Sequence, residues 1–226
     1  NPVPGPKEVL IRIEACSVNF PDTLIIQGLY QFKPACPFSP GSDVAGVVES
    51  VGAEVKRYKV GDEVIAMTTF GGFAEKIAVH QSSVFPKPKS MNMVNAASFL
   101  LAYGTSYHAL KDRAQLKQGE TLLVLGAAGG VGLTAVELGK LMGARVIAAA
   151  STAEKLELCK SYGADEVINY TSENLKERVK ELTDGNGADV VYTDLRTNHI
   201  LDAFPIDTEF VFENRFGVYR GDKRAL

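Results

Sequence analysis

The chain has 226 residues, of which 46% are hydrophobic and 23% are charged, and its formal net charge is −3. Such a composition is typical of a globular protein with one or two hydrophobic cores, and it excludes the basic surface that nucleic-acid binding needs. The apolar runs are too short to cross a bilayer, so no membrane partner is expected. Three widely spaced cysteines without a Cys-x-x-Cys pair favour reduced thiols in the cytoplasm over a disulfide framework or a thiolate zinc site.

Residues 1–98 are predicted to form a β domain. Val9, Ile11 and Ile13 alternate with Arg12 and Glu14, which is the pattern of a half-buried strand. Further short strands, each bounded by glycine, follow in "SDVAGVVESVG", "VGDEVIAM" and "GGFAEKIAV". Short strands with many turns indicate a partly closed β-structure.

Residues 99–192 are predicted to form an α/β domain. From Glu120 onward, the buried strand "TLLVLG", a helix from Gly130 to Met142 and the strand "ARVIAAA" alternate, followed by two further helix and strand pairs. Ser172 is a plausible cap for the charged helix "SENLKERVKEL". This alternation indicates a doubly wound parallel sheet with right-handed crossovers.

A glycine-rich loop, "LGAAGGVG", joins the first of these strands to its helix. The residues predicted to contact a dinucleotide there are Ala128, Gly129, Gly130, Val131 and Gly132. Ala127, Gly129 and Gly132 have the spacing of the dinucleotide fingerprint, with Ala127 in place of its first glycine and Gly126 just before it. Gly129 would admit the pyrophosphate, and Gly132 would let the helix close on the strand. The alternative is a tight turn without a ligand.

The end of the second strand decides which dinucleotide is expected. It reads "AAASTAEK" and lacks the Asp or Glu that an NAD site usually places there. Ser151 and Lys155 can instead bind a 2′-phosphate through hydrogen bonds that charge strengthens, so NADPH is the expected cofactor. The alternative for Lys155 is a solvated helix lysine.

Five motifs in order resemble the quinone oxidoreductase, or zeta-crystallin-like, family of the zinc-independent medium-chain dehydrogenase/reductases. They are "ACSVNFPDTLIIQGLY", "FSPGSDVAGVVESVGAEVKRYKVGDEV", "GGFAE", "AYGTSYHAL" and "GETLLVLGAAGGVGLTAVELGK". The resemblance implies a GroES-like β-domain over 1–98 and the first half of a Rossmann domain over 99–192, with the active site in the cleft between them. It leaves 193–226 as an unassigned, atypical tail. Glu137 replaces a glutamine usual in the family, at a position that we expect to matter little.

The resemblance also predicts the absence of a metal. In zinc-dependent relatives a cysteine and a histidine ligand occupy the positions of Asn19 and Ser42 in this sequence. Neither asparagine nor serine is a usual zinc ligand, so no metal is expected.

By the same resemblance, Asn19 and Thr105 would lie near the nicotinamide and its ribose, and Tyr170 would lie beside the adenosine phosphate with Ser151 and Lys155. The alternatives are a turn cap for Asn19, a helix-entry residue for Thr105 and a half-buried strand tyrosine for Tyr170. Tyr30 follows "IIQGL" and could protonate the product, as a tyrosine does in related enoyl-thioester reductases, or could simply pack in the cleft wall.

The implied activity is NADPH-dependent hydride transfer, without zinc, to a quinone or to another electron-poor carbonyl or alkene such as an enone, by a homodimer. The alternatives are an enoyl-thioester reductase and a catalytically silent remnant that binds a dinucleotide. The family pattern stops after "GADVVY", so we expect an incomplete enzyme. Its half-sheet would have an exposed edge strand unless the tail or a partner covers it.

Overall fold

The computed structural model describes residues 2–193, 211–213 and 216–220. The chain divides into two compact units, Asn1–Leu101 and Ala102–Leu226. We describe each unit by itself.

The first unit is built on one antiparallel sheet. Its elements are β1 (Glu8–Cys16), α1 (Phe20–Ile26), β2 (Asp43–Val51), β3 (Glu63–Met67), β4 (Lys76–His80), the 3-10 turn Gln81–Ser83, β5 (Val84–Pro86) and α2 (Met93–Ala97). The five strands lie in the order β4-β1-β2-β3-β5, and every neighbouring pair is antiparallel.

The alternation predicted for β1 is confirmed. Val9 and Ile11 are completely buried, whereas Arg12 and Glu14 are exposed. The two buried side chains pack against Val44, Val48 and the neighbouring strands in one hydrophobic core. Because successive side chains of a strand point to opposite faces, one face of β1 can enter this core while the other carries charge.

The second unit begins in α3 and contains the predicted α/β alternation. Its elements are α3 (Phe99–Tyr107, which starts in the first unit), the π-helical turn His108–Arg113, β6 (Thr121–Leu125), α4 (Gly130–Leu141), β7 (Arg145–Ala150), α5 (Ala153–Ser161), β8 (Glu166–Asn169), α6 (Leu175–Leu182), β9 (Val190–Thr193), β10 (Val211–Glu213) and β11 (Phe216–Arg220). The strand order is β10-β11-β9-β6-β7-β8, with β9, β6, β7 and β8 parallel.

Both faces of the parallel strands are covered. Leu122 and Val124 of β6 point into a core on one face, and Leu123 and Leu125 point into a second core on the other. All four side chains are at most 1% exposed. A strand covered on both faces is apolar throughout, which explains the continuous run "TLLVL".

The edge of β9 is covered by the end of the chain. β11 pairs antiparallel with β9, and the register matches Arg220 with Val190. The Arg220 guanidinium donates to Glu120 Oε2 at 2.9 Å and to the Ala114 carbonyl at 3.1 Å. The exposed edge expected at this strand is therefore occupied by part of the tail. Residues 194–210, 214–215 and 221–226 of the predicted tail lie outside the described residues.

The cap predicted for the charged helix was wrong. α6 begins after Asn174, whose side-chain oxygen accepts from the Glu177 N–H at 3.2 Å. Ser172 lies in the preceding turn, where its backbone N–H donates to the Asn169 carbonyl. Asn and Ser are comparably good caps, so the start of the first turn decides between them.

Candidate functional site

The glycine loop takes its sharp turn at Gly126. This residue follows β6 with φ +66°, a left-handed conformation that glycine adopts without strain. Ala127 is completely buried, and its N–H donates to the Ala149 carbonyl of β7 at 3.1 Å. Alanine fits the first position of the fingerprint because the preceding glycine supplies the turn.

The start of α4 presents unpaired backbone donors. Gly129 is its N-cap, so the N–H groups of Gly130, Val131 and Gly132 have no carbonyl four residues back within the helix. Gly129 and Gly130 are exposed, and a Cβ at Gly130 would meet no atom within 4 Å. This arrangement fits a phosphate, which accepts hydrogen bonds from such a helix terminus.

Gly132 holds the helix close to the loop. A Cβ at this position would lie 2.4 Å from the Gly126 carbonyl oxygen, which is closer than any side chain can approach. The third glycine of the fingerprint is therefore required for packing between α4 and the loop.

A buried hydroxyl network fixes the first turn of α4. Ser106 Oγ donates to the Val131 carbonyl at 2.8 Å and lies 2.8 Å from Thr134 Oγ1 and 3.1 Å from the Tyr192 hydroxyl. Ser106 and Tyr192 are completely buried. Thr105 precedes Ser106 and is half-buried, so the structure places this predicted residue beside the network that positions the loop.

Three predicted residues follow the second and third parallel strands, and two of them, Ser151 and Lys155, are in contact. Lys155 Nζ donates to Ser151 Oγ at 3.3 Å, and the Tyr170 N–H donates to the Ala150 carbonyl at 3.2 Å. Thr171, which the sequence reasoning missed, donates through its hydroxyl to the Ser151 carbonyl at 3.2 Å. Tyr170 also packs against the core under β7 and β8, so its packing alternative has support.

These groups share one edge of the sheet. The glycine loop follows β6, Ser151 follows β7 and Tyr170 follows β8, and the three strands are parallel neighbours. Ligands of open α/β sheets bind at the carboxyl ends of the strands, and here the loop offers N–H donors while Lys155 offers a positive charge. The arrangement suits a ligand that carries several phosphates.

In the first unit, Asn19 is the N-cap of α1. Its N–H donates to Asp22 Oδ2 at 2.7 Å, and its side-chain amide donates to Ser17 Oγ at 2.7 Å. Asp22 is 3% exposed and also accepts from the Gly41 N–H at 3.1 Å. Asn19 thus occupies the N-cap position that its alternative predicts, without a side-chain cap hydrogen bond, and its role at a nicotinamide stays a prediction.

Tyr30 and Ser42 line one cavity of about 550 Å³ in the first unit. Its apolar wall includes Pro21, Ile25, Met67, Val79 and Leu101. The lining residues include no carboxylate, lysine or arginine. The other half of the lining is polar, namely Tyr30, Ser42, Thr68, Thr69, His80 and Ser83. A cavity of this size with both apolar and polar walls can hold a small molecule.

Asp43 follows Ser42 and carries a buried carboxyl group. Its Oδ2 accepts from the Leu101 N–H at 2.9 Å near the start of α3, and Oδ1 has no partner among the described residues. Burial raises the pKa of Asp43 to about 7, and the backbone amides of Leu101 and Leu100 oppose this rise. The sequence reasoning missed this contact because the two partners are 58 residues apart.

Glu137 makes a long-range contact that the sequence did not predict. The Tyr103 hydroxyl donates to Glu137 Oε2 across 34 residues of sequence. Burial, with the Glu137 carboxylate as the second cause, raises the pKa of Tyr103 to about 12. A position expected to matter little therefore joins α3 to α4.

Two kinds of site are absent from residues 2–193, 211–213 and 216–220. That part of the chain contains no group of three or more His, Cys, Asp and Glu side chains that could hold a metal ion. None of its helices is both long and apolar enough to cross a bilayer. The three cysteines are free, and burial raises the pKa of Cys16 to about 11.

Two family models match the chain. The model described as the alcohol dehydrogenase GroES-like domain covers residues 5–89. The model described as zinc-binding dehydrogenase covers residues 130–203. The two matches follow one another along the chain in the order of the two structural units.

Known relatives agree with these matches. A quinone oxidoreductase-like protein 2 homolog from Nematostella vectensis is 42% identical over 189 residues, which are 83% of this chain and 52% of that protein. The crystal structure of Escherichia coli quinone oxidoreductase complexed with NADPH superposes with a TM-score of 0.84 at 34% identity, over 90% of this chain and 63% of that one. The chain is similar to quinone oxidoreductases, as the five motifs in its sequence predict. The predicted fold class, a GroES-like β-domain followed by a Rossmann-type parallel sheet, is confirmed.

Another solved structure that the chain resembles has a different activity in its description. The crystal structure of CurK enoyl reductase has a TM-score of 0.83 at 31% identity, over 90% of this chain and 63% of that one. The chain spans about half the length of the curated relatives that it matches.

The predicted site residues fall into two groups. Thr105, the loop residues, Ser151, Lys155 and Tyr170 lie in the second unit, and Asn19 and Tyr30 lie in the first. Their assigned roles stay predictions. Ser42, which the sequence reasoning considered only as a lost zinc ligand, is the main residue that it missed; its place in "PGSDVAG" was the available signal.

Proposed function

We propose that this chain binds NADPH at the carboxyl edge of β6, β7 and β8 and belongs to an oxidoreductase that reduces a quinone or an enone without zinc. The observation that carries the proposal is the combination, at that edge, of the free N–H groups of α4 with the Ser151 and Lys155 pair. A dinucleotide needs both features, because its pyrophosphate and its ribose contact successive strands.

The choice of NADPH over NADH rests on the end of β7. Ala149, Ala150 and Ser151 present no carboxylate to a ribose hydroxyl, and Lys155 is four residues further on. A lysine that binds a phosphate is favourable, whereas an acid would repel one. The related Escherichia coli structure in complex with NADPH supports this choice.

The substrate class follows from the cavity in the first unit. The apolar part of its wall and the absence of lysine and arginine from its lining favour a neutral, planar acceptor over a carboxylate or a sugar phosphate, although His80 also lines the cavity. Asn19 and Ser42 occupy the positions of zinc ligands in metal-dependent relatives, and neither suits zinc, so the proposal includes no metal.

Bound NADPH would supply a hydride from its nicotinamide ring. The residues of this chain would then hold the cofactor and orient the acceptor, which is most of what hydride transfer requires of a protein. Ala128 to Gly132 would bind the pyrophosphate, Ser151, Lys155 and Tyr170 the adenosine phosphate, and Asn19 and Thr105 the nicotinamide and its ribose.

An enoyl-thioester reductase is the second candidate, and Tyr30 is the residue that favours it. Tyr30 lines the cavity, so its phenol could protonate the enolate formed by reduction. The likeness to CurK enoyl reductase supports this candidate as well. A quinone needs this proton donor less, because solvent can protonate hydroquinone oxygens.

The test is steady-state oxidation of NADPH by this chain with duroquinone and, separately, with crotonyl-coenzyme A. The proposal expects turnover with the quinone, and retention of that turnover in Tyr30→Phe. Preferred turnover of the thioester, lost in Tyr30→Phe, would favour the second candidate. Tyr107→Phe is the matched control, because Tyr107 is 48% exposed.

If the chain binds NADPH but turns over neither acceptor, the hypothesis that remains is a catalytically silent remnant that binds a dinucleotide.

The proposal also includes a homodimer in the cytoplasm. Sedimentation of the purified chain would test the homodimer, and the three free cysteines are compatible with a reducing compartment.

A further inference from the structure

Ser42 lines the cavity, and its side-chain oxygen is buried without a hydrogen-bond partner among the described residues. Ser42 is 5% exposed, it lines the cavity, and its Oγ makes no hydrogen bond within the part of the chain that the structure describes. A buried hydroxyl without a partner is unfavourable for folding, so native proteins rarely keep one without a reason.

The backbone holds this hydroxyl in place from both sides. The Gly41 N–H donates to the buried Asp22 carboxylate at 3.1 Å, and the Ser42 carbonyl accepts from the Thr68 N–H at 2.8 Å. The next residue, Asp43, begins β2 and pairs with Met67 of β3. These contacts fix the backbone of Ser42, so that its hydroxyl can move only by rotation about the Cα–Cβ bond.

We propose that Ser42 is a positioning residue whose hydroxyl donates a hydrogen bond to the carbonyl oxygen of the acceptor bound in this cavity; this inference rests on the proposed function for the identity of that acceptor. A neutral hydroxyl fits the neutral lining, and it selects acceptors with a carbonyl group over apolar molecules of the same size. The selection works because an acceptor without the oxygen leaves the hydroxyl unpaired.

The hydrogen bond would gain strength during reduction. Bound NADPH would supply a hydride, whose bond to the cofactor would break as a new bond to the acceptor forms, and the two electrons transferred with it would place negative charge on the carbonyl oxygen. A proton from water then neutralises that oxygen. Ser42 keeps its own proton throughout, and its fixed donor stabilises the developing charge.

The first arm of the experiment measures binding without the cofactor. Duroquinone is titrated into the wild-type chain and into Ser42→Ala by calorimetry; its fully substituted ring resists attack by cysteine thiols. We expect the dissociation constant to rise about fivefold to tenfold in the variant, as the loss of one neutral hydrogen bond implies. Ser90→Ala, which changes an exposed serine of the same unit, should bind like the wild type.

The second arm measures thermal stability, which separates a ligand-binding serine from a structural one. Because the hydroxyl has no protein partner, Ser42→Ala should unfold at the same or a higher temperature than the wild type. A lower melting temperature would show that the hydroxyl supports the fold, and would overturn the proposal. Equal duroquinone affinity in both proteins, or no binding by the wild type, would also overturn it.

The third arm keeps the two proposals separate. If the wild type and Ser42→Ala both oxidise NADPH with duroquinone, the factor by which kcat/KM falls in the variant should exceed the factor by which its dissociation constant rises. The reason is that the hydrogen bond from Ser42 strengthens as negative charge develops on the carbonyl oxygen. Where the wild type shows no turnover but the binding difference is present, the proposed function fails and the assignment of Ser42 stands.

Discussion

The two units of this chain carry their candidate sites in different ways. In the second unit the ligand-facing groups are mainly backbone N–H groups at the start of α4, and glycines make room for them. In the first unit the cavity depends on particular side chains, above all Ser42 and Tyr30. A site built from backbone is visible in sequence as a pattern of glycines, whereas a site built from side chains needs the fold to bring them together.

The sharpest test of the backbone site is Gly132→Ala. The added methyl would meet the Gly126 carbonyl, so α4 must move away from the loop. We expect a loss of about 3 kcal/mol in the free energy of unfolding, measured by urea titration, because overpacking against backbone cannot relax cheaply.

Gly130→Ala is the matched control for this change. Its added Cβ would meet open space, and the backbone there already has helical geometry. Its stability should stay within about 0.5 kcal/mol of the wild type, as is usual for surface substitutions. Equal losses in the two variants would contradict the role given to Gly132.

The first unit can be tested through Asp43. Its folded pKa, about 7, lies above the unfolded value, so the folded state binds the extra proton and stability falls as the pH rises toward 7. We expect the wild type to lose about 2 kcal/mol of unfolding free energy between pH 5 and pH 8 through this group.

Asp43→Asn should remove this dependence, since the amide oxygen can still accept from Leu101 and does not titrate. Chemical denaturation of both proteins at the two pH values measures the difference. Parallel pH profiles for the wild type and the variant would show that Asp43 is already ionised at pH 5 in the folded protein.

Lys155→Ala probes the choice of cofactor. Loss of the charge that we assign to the 2′-phosphate should weaken NADPH binding about tenfold and leave NADH binding unchanged. Lys160→Ala is the control, since Lys160 lies on the same helix and pairs with Glu157 at 2.7 Å. Equal weakening for both dinucleotides would point to a general effect on α5.

The smallest expected effect concerns the contact between α3 and α4. Tyr103→Phe removes the hydroxyl that donates to Glu137, and it should cost about 1 kcal/mol of unfolding free energy. Tyr107→Phe, at an exposed position, should change stability little. No difference between the two variants would return Glu137 to the minor role first expected.

The contrast between the units also explains what could be predicted from sequence. The alternation of Val9 and Ile11 with Arg12 and Glu14, and the apolar run of β6, follow local rules, so both elements were predicted correctly. The choice of Asn174 over Ser172 as the cap depended on where the helix axis starts. Local preference alone does not determine that point.

Long-range polar contacts could not be predicted from the sequence. The links from Asp43 to Leu101 and from Tyr103 to Glu137 span 58 and 34 residues, and no periodicity reports them. The sequence identified Ser42 only as a residue that does not suit zinc. Its burial and its unpartnered hydroxyl depend on the strands around it.

The most direct test of the central claim is a fluorescence titration of this chain with NADPH and NADH in parallel. We expect saturable binding of both, with NADPH tighter by about tenfold through the contact that we assign to Lys155 and the extra phosphate. Binding of neither dinucleotide would contradict it, and would leave the glycine loop as a tight turn between β6 and α4.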